Sequence, residues 1–485
     1  MASVYRVHSP CFQAIVLATR AEVLARPTRE VSWLTTDTRA DLSDACFVAL
    51  KGEQFDGHAF VAAAAKGGAV MALIEHDLTA ADLAALPEGF GLLKVRSTRE
   101  ALGLIAHSWR RSLRTLRVAA VTGSAGKTTT RRLLEGILAE VGPTHASPKS
   151  FNNDIGVPLT LLSTPPEAKF LVAEIGMNHP GELLPLTEMA EPEVGIVTLA
   201  GRAHLEGLGS VEAVATEKAS LLAGVLPEGV AVANGDNPPL VEAVRALEAA
   251  GRAPSRLVWF GHGSSCHYRL LDRQATADGQ RVRVLCPSLG REPFEFTLRM
   301  AGEHNARNAL AALAAAAEMG IPFAAIARGL ARVEASDMRL ERLDIGGRTV
   351  FNDAYNANPD AMIASLKAFA ELTAGVGRRV VVLGEMRELG PTAAELHAEV
   401  GRHAAAHLAA SDALVAVGPH AAALADAARS AGFAGETLVA ASFSEPFAAE
   451  AAALMPVGAA VLLKGSRGAR MERFVEPLRV AFAHA

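Results

Sequence analysis

The chain has 485 residues, too many for one compact core, and predicts about two to four domains. Half of its residues are hydrophobic and 20% are charged, which excludes a disordered chain. The formal net charge of −5 excludes a broad surface for nucleic acid. Four scattered cysteines without a C-x-x-C pair exclude a disulfide framework or a zinc knuckle. We expect a cytoplasmic monomer with no leader, membrane span or nucleic-acid partner.

The first block, residues 1–115, predicts a small α/β N-terminal domain. Short apolar runs predict strands at Val31–Thr36, Cys46–Leu50 and Val70–Ile74. The alanine-rich segment Phe60–Lys66 between them predicts a helix.

The second block, residues 116–335, alternates apolar runs with helical patterns, which predicts a parallel sheet with crossover helices. Its strand candidates are Leu116–Val121, Phe170–Ile175, Gly195–Leu199, Val230–Ala233 and Leu257–Phe260. Alternating polar residues in Tyr268–Leu271 and Arg281–Leu285 predict a small antiparallel addition. The third block, residues 336–485, repeats the rhythm and predicts a Rossmann-like C-terminal domain, with strands at Thr349–Asp353, Arg379–Leu383, Ala413–Val417 and Val461–Lys464. The fold class is therefore α/β with three domains.

A glycine-rich turn joins the first strand of the second block to a helical pattern. Its residues are Gly123, Ser124, Ala125, Gly126, Lys127, Thr128 and Thr129. Backbone N–H groups at such a turn can cradle phosphate, the lysine adds charge and the threonine offers an oxygen to Mg²⁺. The full G-x-x-x-x-G-K-[ST] pattern fails because its first glycine falls on Val121. The turn still predicts nucleotide binding in a central P-loop domain, with a plain glycine turn as the alternative.

Two further residues are candidates for a metal site, and a third is a candidate functional lysine. Glu174 ends a strand and offers a hard oxygen ligand for Mg²⁺, although a solvated loop acid fits the pattern too. His204 follows another strand, where a structural histidine is the alternative. Lys218 falls on the apolar stripe of the predicted helix Val211–Val225, so its ammonium must snorkel, pair or lose its charge.

Several segments, taken together and in order, resemble the Mur ligase family over nearly the whole chain. They are TGSAGKTTT, SFNNDIGVPLTLL, AEIGMNHPGEL, AHLEGLGS, ATEKASLL, GEHNARNALAA, FNDAYNANPDAM, VVVLGEMRELG and KGSRGARME. The resemblance implies ATP, two Mg²⁺ ions and a lysine carbamoylated by CO₂ at Lys218. Lys127, Glu174, His204 and Lys218 would be the catalytic residues. The metal would be held by Thr128, Glu174, His204 and Lys218.

The resemblance also implies binding residues. Beside the P-loop, the ATP site would include Asn305, Asn308, Arg339 and Asp353. The uridine-nucleotide end of one substrate would meet Thr36, Arg39, Lys51, Gly52 and Asp56. Its peptide end and the incoming dipeptide would meet Asn152, Asn153, Asn178, His179, Tyr355, Asn356 and Asn358. Leu199 and Ser220 depart from the family, which often has Asn and an acidic residue there.

Within this family, the segment DAYNANP is similar to members that act on D-alanyl-D-alanine rather than on a single amino acid. The implied reaction joins D-alanyl-D-alanine to UDP-N-acetylmuramoyl-tripeptide in peptidoglycan precursor synthesis. It would pass through an acyl phosphate and a tetrahedral intermediate and release ADP and phosphate. The alternatives are a Mur ligase that adds another amino acid, a P-loop ATPase or switch protein, and a non-catalytic nucleotide-binding protein.

Overall fold

The computed structural model describes residues 7–52, 55–148, 151–276, 278–287, 290, 292–335 and 338–482. Its described residues form three α/β domains, each built on one sheet, as the sequence predicted. In this part of the chain no helix has both the length and the apolar character needed to cross a bilayer.

The first sheet has the strand order β1-β3-β4-β5-β6-β2. Strands β3 to β6 are parallel, whereas β1 and β2 pair antiparallel at the two edges. The strands are β1 Val7–His8, β2 Glu22–Ala25, β3 Trp33–Thr35, β4 Ala45–Val48, β5 Met71–Ile74 and β6 Gly91–Lys94. The helices are α1 Phe12–Thr19, α2 Val61–Lys66, α3 Ala80–Ala84 and α4 Thr98–Ser112. The predicted alanine-rich helix is confirmed as α2, with a 3₁₀ turn over Gly57–Phe60 in front of it.

The central sheet has the order β15-β14-β13-β12-β11-β10-β7-β9-β8. Strands β7 to β13 run parallel, and β14 and β15 are added antiparallel at one edge. The predicted antiparallel addition over Tyr268–Leu271 and Arg281–Leu285 is confirmed as β13 paired with β14. The strands are β7 Arg117–Thr122, β8 Thr144–Ala146, β9 Phe170–Glu174, β10 Val194–Val197, β11 Val230–Asn234, β12 Arg256–Gly261, β13 Tyr268–Thr276, β14 Gly279–Leu285 and β15 Phe294–Leu298. The helices are α5 Lys127–Ala139, α6 Gly156–Leu162, α7 Leu183–Ala190, α8 Leu205–Leu208, α9 Val211–Ala223, α10 Pro238–Ala249, α11 Glu303–Glu318 and α12 Phe323–Arg332.

The third sheet has the order β16-β17-β21-β18-β19-β20, and all pairs are parallel except β16 with β17. The strands are β16 Glu341–Ile345, β17 Arg348–Asp353, β18 Arg379–Leu383, β19 Ala413–Val417, β20 Glu436–Ala440 and β21 Ala460–Lys464. The helices are α13 Pro359–Leu372, α14 Ala393–His407, α15 Ala421–Ser430, α16 Glu445–Ala453 and α17 Val475–Phe482.

Strand β7 lies inside the central sheet and is covered on both faces. Ala119 and Val121 pack into the core on one side of the sheet, and Val118 and Ala120 pack into the core on the other. A strand buried on both faces reads as a continuous apolar run, which is why the sequence revealed it. Because β9 and β10 are its parallel neighbours, the loops that follow all three strands emerge at one edge of the sheet.

Candidate functional site

The glycine-rich turn after β7 is held in a shape that suits phosphate. Gly126 has φ +84°, the left-handed region that glycine reaches without steric cost, and α5 begins at the next residue. Lys127 donates a hydrogen bond from Nζ to the carbonyl of Gly123 at 2.7 Å, which folds its side chain back over the turn. Ser124 and Ala125 are tied to the loop after β10, through Gly201 and Thr198. Thr129 is half-buried in the first turn of α5.

A methyl group at Gly126 would enter the space of Asn308. A Cβ built there lies 2.3 Å from Asn308 Oδ1, whereas a Cβ at Gly320, also left-handed with φ +74°, meets nothing within 4 Å. We expect Gly126→Ala and Gly320→Ala to lose similar stability, about 1–2 kcal/mol each, from the backbone strain. Only Gly126→Ala should weaken ADP binding, by about tenfold, because it also displaces Asn308. Calorimetric titration with ADP checks this, and equal affinities in the two variants would contradict it.

Thr128, Glu174 and Asn152 form one hydrogen-bonded cluster beside the turn. Thr128 donates to Glu174 Oε2 at 2.8 Å, and Asn152 donates from Nδ2 to Glu174 Oε1 at 2.9 Å. Glu174 is buried, with 2% of its surface exposed. A carboxylate and a hydroxyl are ligands that Mg²⁺ prefers, so the donor set fits this ion. Asn152 therefore lies against Glu174, and Asn153 accepts a hydrogen bond from the backbone N–H of Gly156.

Lys218 is fully buried on α9, and among the described residues its Nζ has no hydrogen-bond partner. Burial holds the pKa of Lys218 well below its ordinary value, and the nearby charge of Lys127 lowers it further. Snorkelling is excluded by the burial. Lowering the pKa favours the neutral, nucleophilic form of the amine, which fits the buried position predicted from the stripe on this helix.

The third domain closes over the P-loop with three of the predicted residues. Arg339 donates from Nη2 to Thr128 Oγ1 at 2.9 Å, and its guanidinium lies 4.2 Å from the centre of the Tyr355 ring. Asn358 caps α13 and donates from Nδ2 to the carbonyl of Ser124 at 3.0 Å. These contacts join the third domain directly to the glycine-rich turn.

Other predicted residues lie around this contact. Asp353 Oδ2 pairs with Lys464 Nζ at 2.6 Å, and the same Nζ donates to the carbonyl of Asn356 at 3.2 Å. Asn305 donates to the carbonyl of Ala301 at 2.8 Å, which places it in the first turn of α11. Asn308 lies on the same helix against Gly126.

His179 points away from the buried cluster. Its side chain is 74% exposed, and Nδ1 lies 3.0 Å from Glu182 Oε1. Asn178 donates its backbone N–H to Glu182 Oε2 at 2.7 Å. Glu182 thus fixes the loop that carries both predicted residues.

The residues predicted to hold a uridine nucleotide lie on the first sheet. Thr36 and Arg39 follow β3, and Lys51 and Gly52 follow the neighbouring parallel strand β4, so both loops emerge at the same edge. Arg39 is mostly exposed and pairs with Asp37, its Nε lying 2.8 Å from Oδ1.

Asp56 belongs to a cluster with His58 and His76 whose potential ligand atoms lie within 4.8 Å of one another. Both nitrogen atoms of His58 already have partners: Nδ1 lies 2.6 Å from Asp56 Oδ1, and Nε2 accepts the backbone N–H of Glu75 at 2.9 Å. The ring of His76 stacks on that of His58 at 3.7 Å. A metal bound to His58 would have to displace one of its two hydrogen bonds. The cluster is therefore better explained as a hydrogen-bonded group that orients Asp56.

Comparisons with known proteins agree with this geometry. A model of the Mur ligase middle domain matches residues 121–316, and a model described as the Mur ligase, glutamate ligase domain matches residues 338–467. The curated UDP-N-acetylmuramoyl-tripeptide–D-alanyl-D-alanine ligase of Escherichia coli (strain K12) is 34% identical, over 92% of this chain and 93% of that protein. The chain belongs to the Mur ligase family.

Two further relatives extend this finding. The Bacillus subtilis (strain 168) protein of the same name is 34% identical over 78% of this chain and 79% of that protein. A crystal structure of MurF from Acinetobacter baumannii superposes with a TM-score of 0.85 at 29% identity, covering 98% of this chain and 99% of that one. The three-domain Mur ligase fold predicted from the sequence is therefore confirmed.

The two departures from the Mur ligase pattern have local explanations. Leu199 takes part through its backbone, because its carbonyl accepts the N–H of Ser124 at 2.7 Å. Ser220 donates to the carbonyl of Glu217 at 2.6 Å within α9.

Three side chains at the site were not predicted from the sequence. Arg131 is buried with its Nε 3.8 Å from Glu174 Oε2, and its place four residues after Lys127 could have revealed it. Asn234 donates to the carbonyl of Thr198, and Asn237 accepts from the N–H of Ala200, both at 2.9 Å. Both asparagines follow the rule that sites gather at the carboxyl ends of parallel strands, which was the available signal.

Proposed function

We propose that this chain joins D-alanyl-D-alanine to UDP-N-acetylmuramoyl-tripeptide at the expense of ATP, releasing ADP and phosphate. One observation carries the proposal: the P-loop, the buried Glu174 and the unpaired Lys218 lie close together, and Arg339 of the third domain contacts the P-loop. They do so in a chain similar over 92% of its length to the Escherichia coli protein named for this reaction. The product is a peptidoglycan precursor, and the use of ATP supports the cytoplasmic location expected from the sequence.

The chemistry requires two anions to meet. A carboxylate does not react with an amine at neutral pH, so its oxygen must first take the γ-phosphoryl group of ATP to become an acyl phosphate. Two unit charges about 4 Å apart repel by roughly 4 kcal/mol at an effective dielectric of about 20. Lys127, which lies in electrostatic reach of Glu174, is placed to offset this repulsion. The amine then attacks the acyl carbon, and the tetrahedral intermediate expels phosphate.

The metal-binding residues would be Thr128, Glu174, His204 and Lys218. Bound Mg²⁺ would neutralise the oxyanions of ATP and of the attacking carboxylate, with two ions expected. The neutral amine of Lys218 can attack CO₂, forming an N–C bond and releasing a proton, so that the carbamate presents oxygen ligands. The orphaned, buried Nζ supports this modification, because a carbamate would gain the partners that the amine lacks.

The third domain supplies the closing wall. Arg339 and Asp353, with Asn305 and Asn308 of the central domain, would hold the nucleotide. Closure by Arg339 and Asn358 excludes water, which would otherwise hydrolyse the acyl phosphate.

The remaining predicted residues would bind the two substrates. The dipeptide would be received by Tyr355, Asn356 and Asn358. The peptide end of the other substrate would be flanked by Asn152, Asn153, Asn178 and His179. The uridine nucleotide would be held by Thr36, Arg39, Lys51, Gly52 and Asp56. The proposed domains are 1–115, 116–335 and 336–485.

An ADP-release assay with the purified chain tests this function. With ATP and UDP-N-acetylmuramoyl-tripeptide present, we expect turnover when D-alanyl-D-alanine is added and little release with single amino acids or with no amine. Amide formation should equal ADP release, mole for mole. Turnover with a single amino acid alone would favour another Mur ligase activity. ADP release that needs no acceptor would favour an ATPase or switch protein.

A further inference from the structure

The loop that carries His204 is bound from the third domain. Arg202 on this loop pairs with Asp360 of α13 through Nη2 at 2.7 Å, and with Glu399 of α14 through Nη1 at 2.6 Å. The backbone N–H of Glu206 donates to the carbonyl of Glu388, which follows β18, at 3.1 Å. The loop is therefore held by three segments of the other domain, with contacts on both sides of His204.

Glu388 also contacts the imidazole of His204. Its Oε2 lies 2.6 Å from His204 Nδ1. A carboxylate on one ring nitrogen makes that nitrogen the donor and leaves the lone pair of Nε2 free for a metal. Because the backbone carbonyl of Glu388 binds the next turn of the same loop, the carboxylate and the ring are held at a fixed separation.

Backbone geometry restricts both partners. His204 has φ +57° and Glu388 has φ +62°, the left-handed region that such residues rarely adopt. Each residue therefore depends on surrounding contacts to keep its conformation. The carbonyl of His204 is bound within its own domain, by the N–H groups of Gly207 and Leu208, whereas its ring is paired with the third domain through Glu388. The orientation of the imidazole therefore follows from the position of the third domain.

We propose that Glu388 is a positioning residue for the metal site: it reaches from the third domain to orient the His204 ring, so that this ligand is in place only when the domain is closed. The inference rests on the proposed function for the role of His204 as a ligand. The carboxylate of Glu388 would thereby couple closure of the third domain to metal binding.

Binding of Mn²⁺ to the purified protein in bicarbonate buffer tests the proposal, with free Mn²⁺ followed by electron paramagnetic resonance. Glu388→Gln keeps the shape of the side chain but removes its charge, and we expect its Mn²⁺ dissociation constant to rise about tenfold. Glu395→Gln, an exposed site on α14 with the same change in net charge, should bind Mn²⁺ as the unaltered protein does. Circular dichroism melting of each variant verifies folding.

A second pair of variants separates positioning from general electrostatics. In a His204→Ala background, Glu388→Gln should change Mn²⁺ affinity less than twofold, because the ring through which it acts is gone. An undiminished tenfold effect in that background, or equal affinities of Glu388→Gln and Glu395→Gln, would overturn the proposal. No amine or tripeptide is needed for this measurement. Failure of the ligation assay would therefore refute the proposed function. The link between Glu388 and His204 would still be decided by the Mn²⁺ measurement.

Discussion

Lys127→Met is expected to lower kcat about 1,000-fold, the factor that corresponds to losing roughly 4 kcal/mol of charge compensation. Methionine keeps the length and apolar stem of lysine but cannot offset the repulsion between the γ-phosphate and the attacking carboxylate. Burial lowers the pKa of Lys127, so its ammonium is costly to the fold. We therefore expect the variant to melt at the same temperature as the unaltered chain or higher.

The matched control is Lys66→Met, an exposed lysine at the end of α2 in the first domain. It should retain full activity and stability. The measurement is steady-state phosphate release with saturating ATP, tripeptide substrate and dipeptide. A loss of less than tenfold in Lys127→Met would show that the charge of Lys127 is not what brings the two oxyanions together.

Lys218→Met should lower kcat about 100- to 1,000-fold, roughly the loss caused by removing one group that stabilises charge in a transition state. The variant cannot form a carbamate. With ¹³C-labelled bicarbonate, the unaltered protein should show a carbamate carbon resonance that is absent from Lys218→Met and present in Lys66→Met. An identical resonance in Lys218→Met would place the carbamate elsewhere.

The same variant should alter the dependence of stability on pH. Burial holds the pKa of Lys218 in the folded chain well below the ordinary value of a lysine. Between the folded and unfolded pKa values the unfolded chain binds more protons, so stability rises with pH across that window. In CO₂-free buffer, Lys218→Met should lose this rise and be at least as stable as the unaltered protein below it. Thermal melts at a series of pH values measure the difference.

The interior strands could be predicted from the sequence, and the edge strands could not. β7, β18 and β19 are continuous apolar runs because both of their faces are covered. The edge strands β2 and β20 are largely exposed and carry no comparable run. All six edge strands were missed, and so was β6, an interior strand of four largely buried residues that is too short to stand out in the sequence.

The site was predictable where a local pattern carried the chemistry. The P-loop lies between one strand and one helix, and Lys218 stood out as a cation on an apolar stripe. Contacts between segments far apart in the sequence could not be predicted from local patterns. Arg202 and Glu388 meet partners more than 150 residues away, which no local periodicity records. The family resemblance supplied Arg339 and Asp353, but the hydrogen bond from Arg339 to Thr128 required coordinates.

The packing of α11 has a consequence for ligand selectivity. From Ala309 to Ala316 this helix buries almost only alanine and leucine against the central sheet, and the proposed nucleotide-facing Asn305 and Asn308 stand at its beginning. Alanine has no rotamers to adjust, so the helix cannot shift to fit a differently shaped base without opening voids in the core. The side of the proposed nucleotide site that α11 would form is therefore rigid. We therefore expect any tolerance for altered nucleotides to arise on the third-domain side of the proposed site.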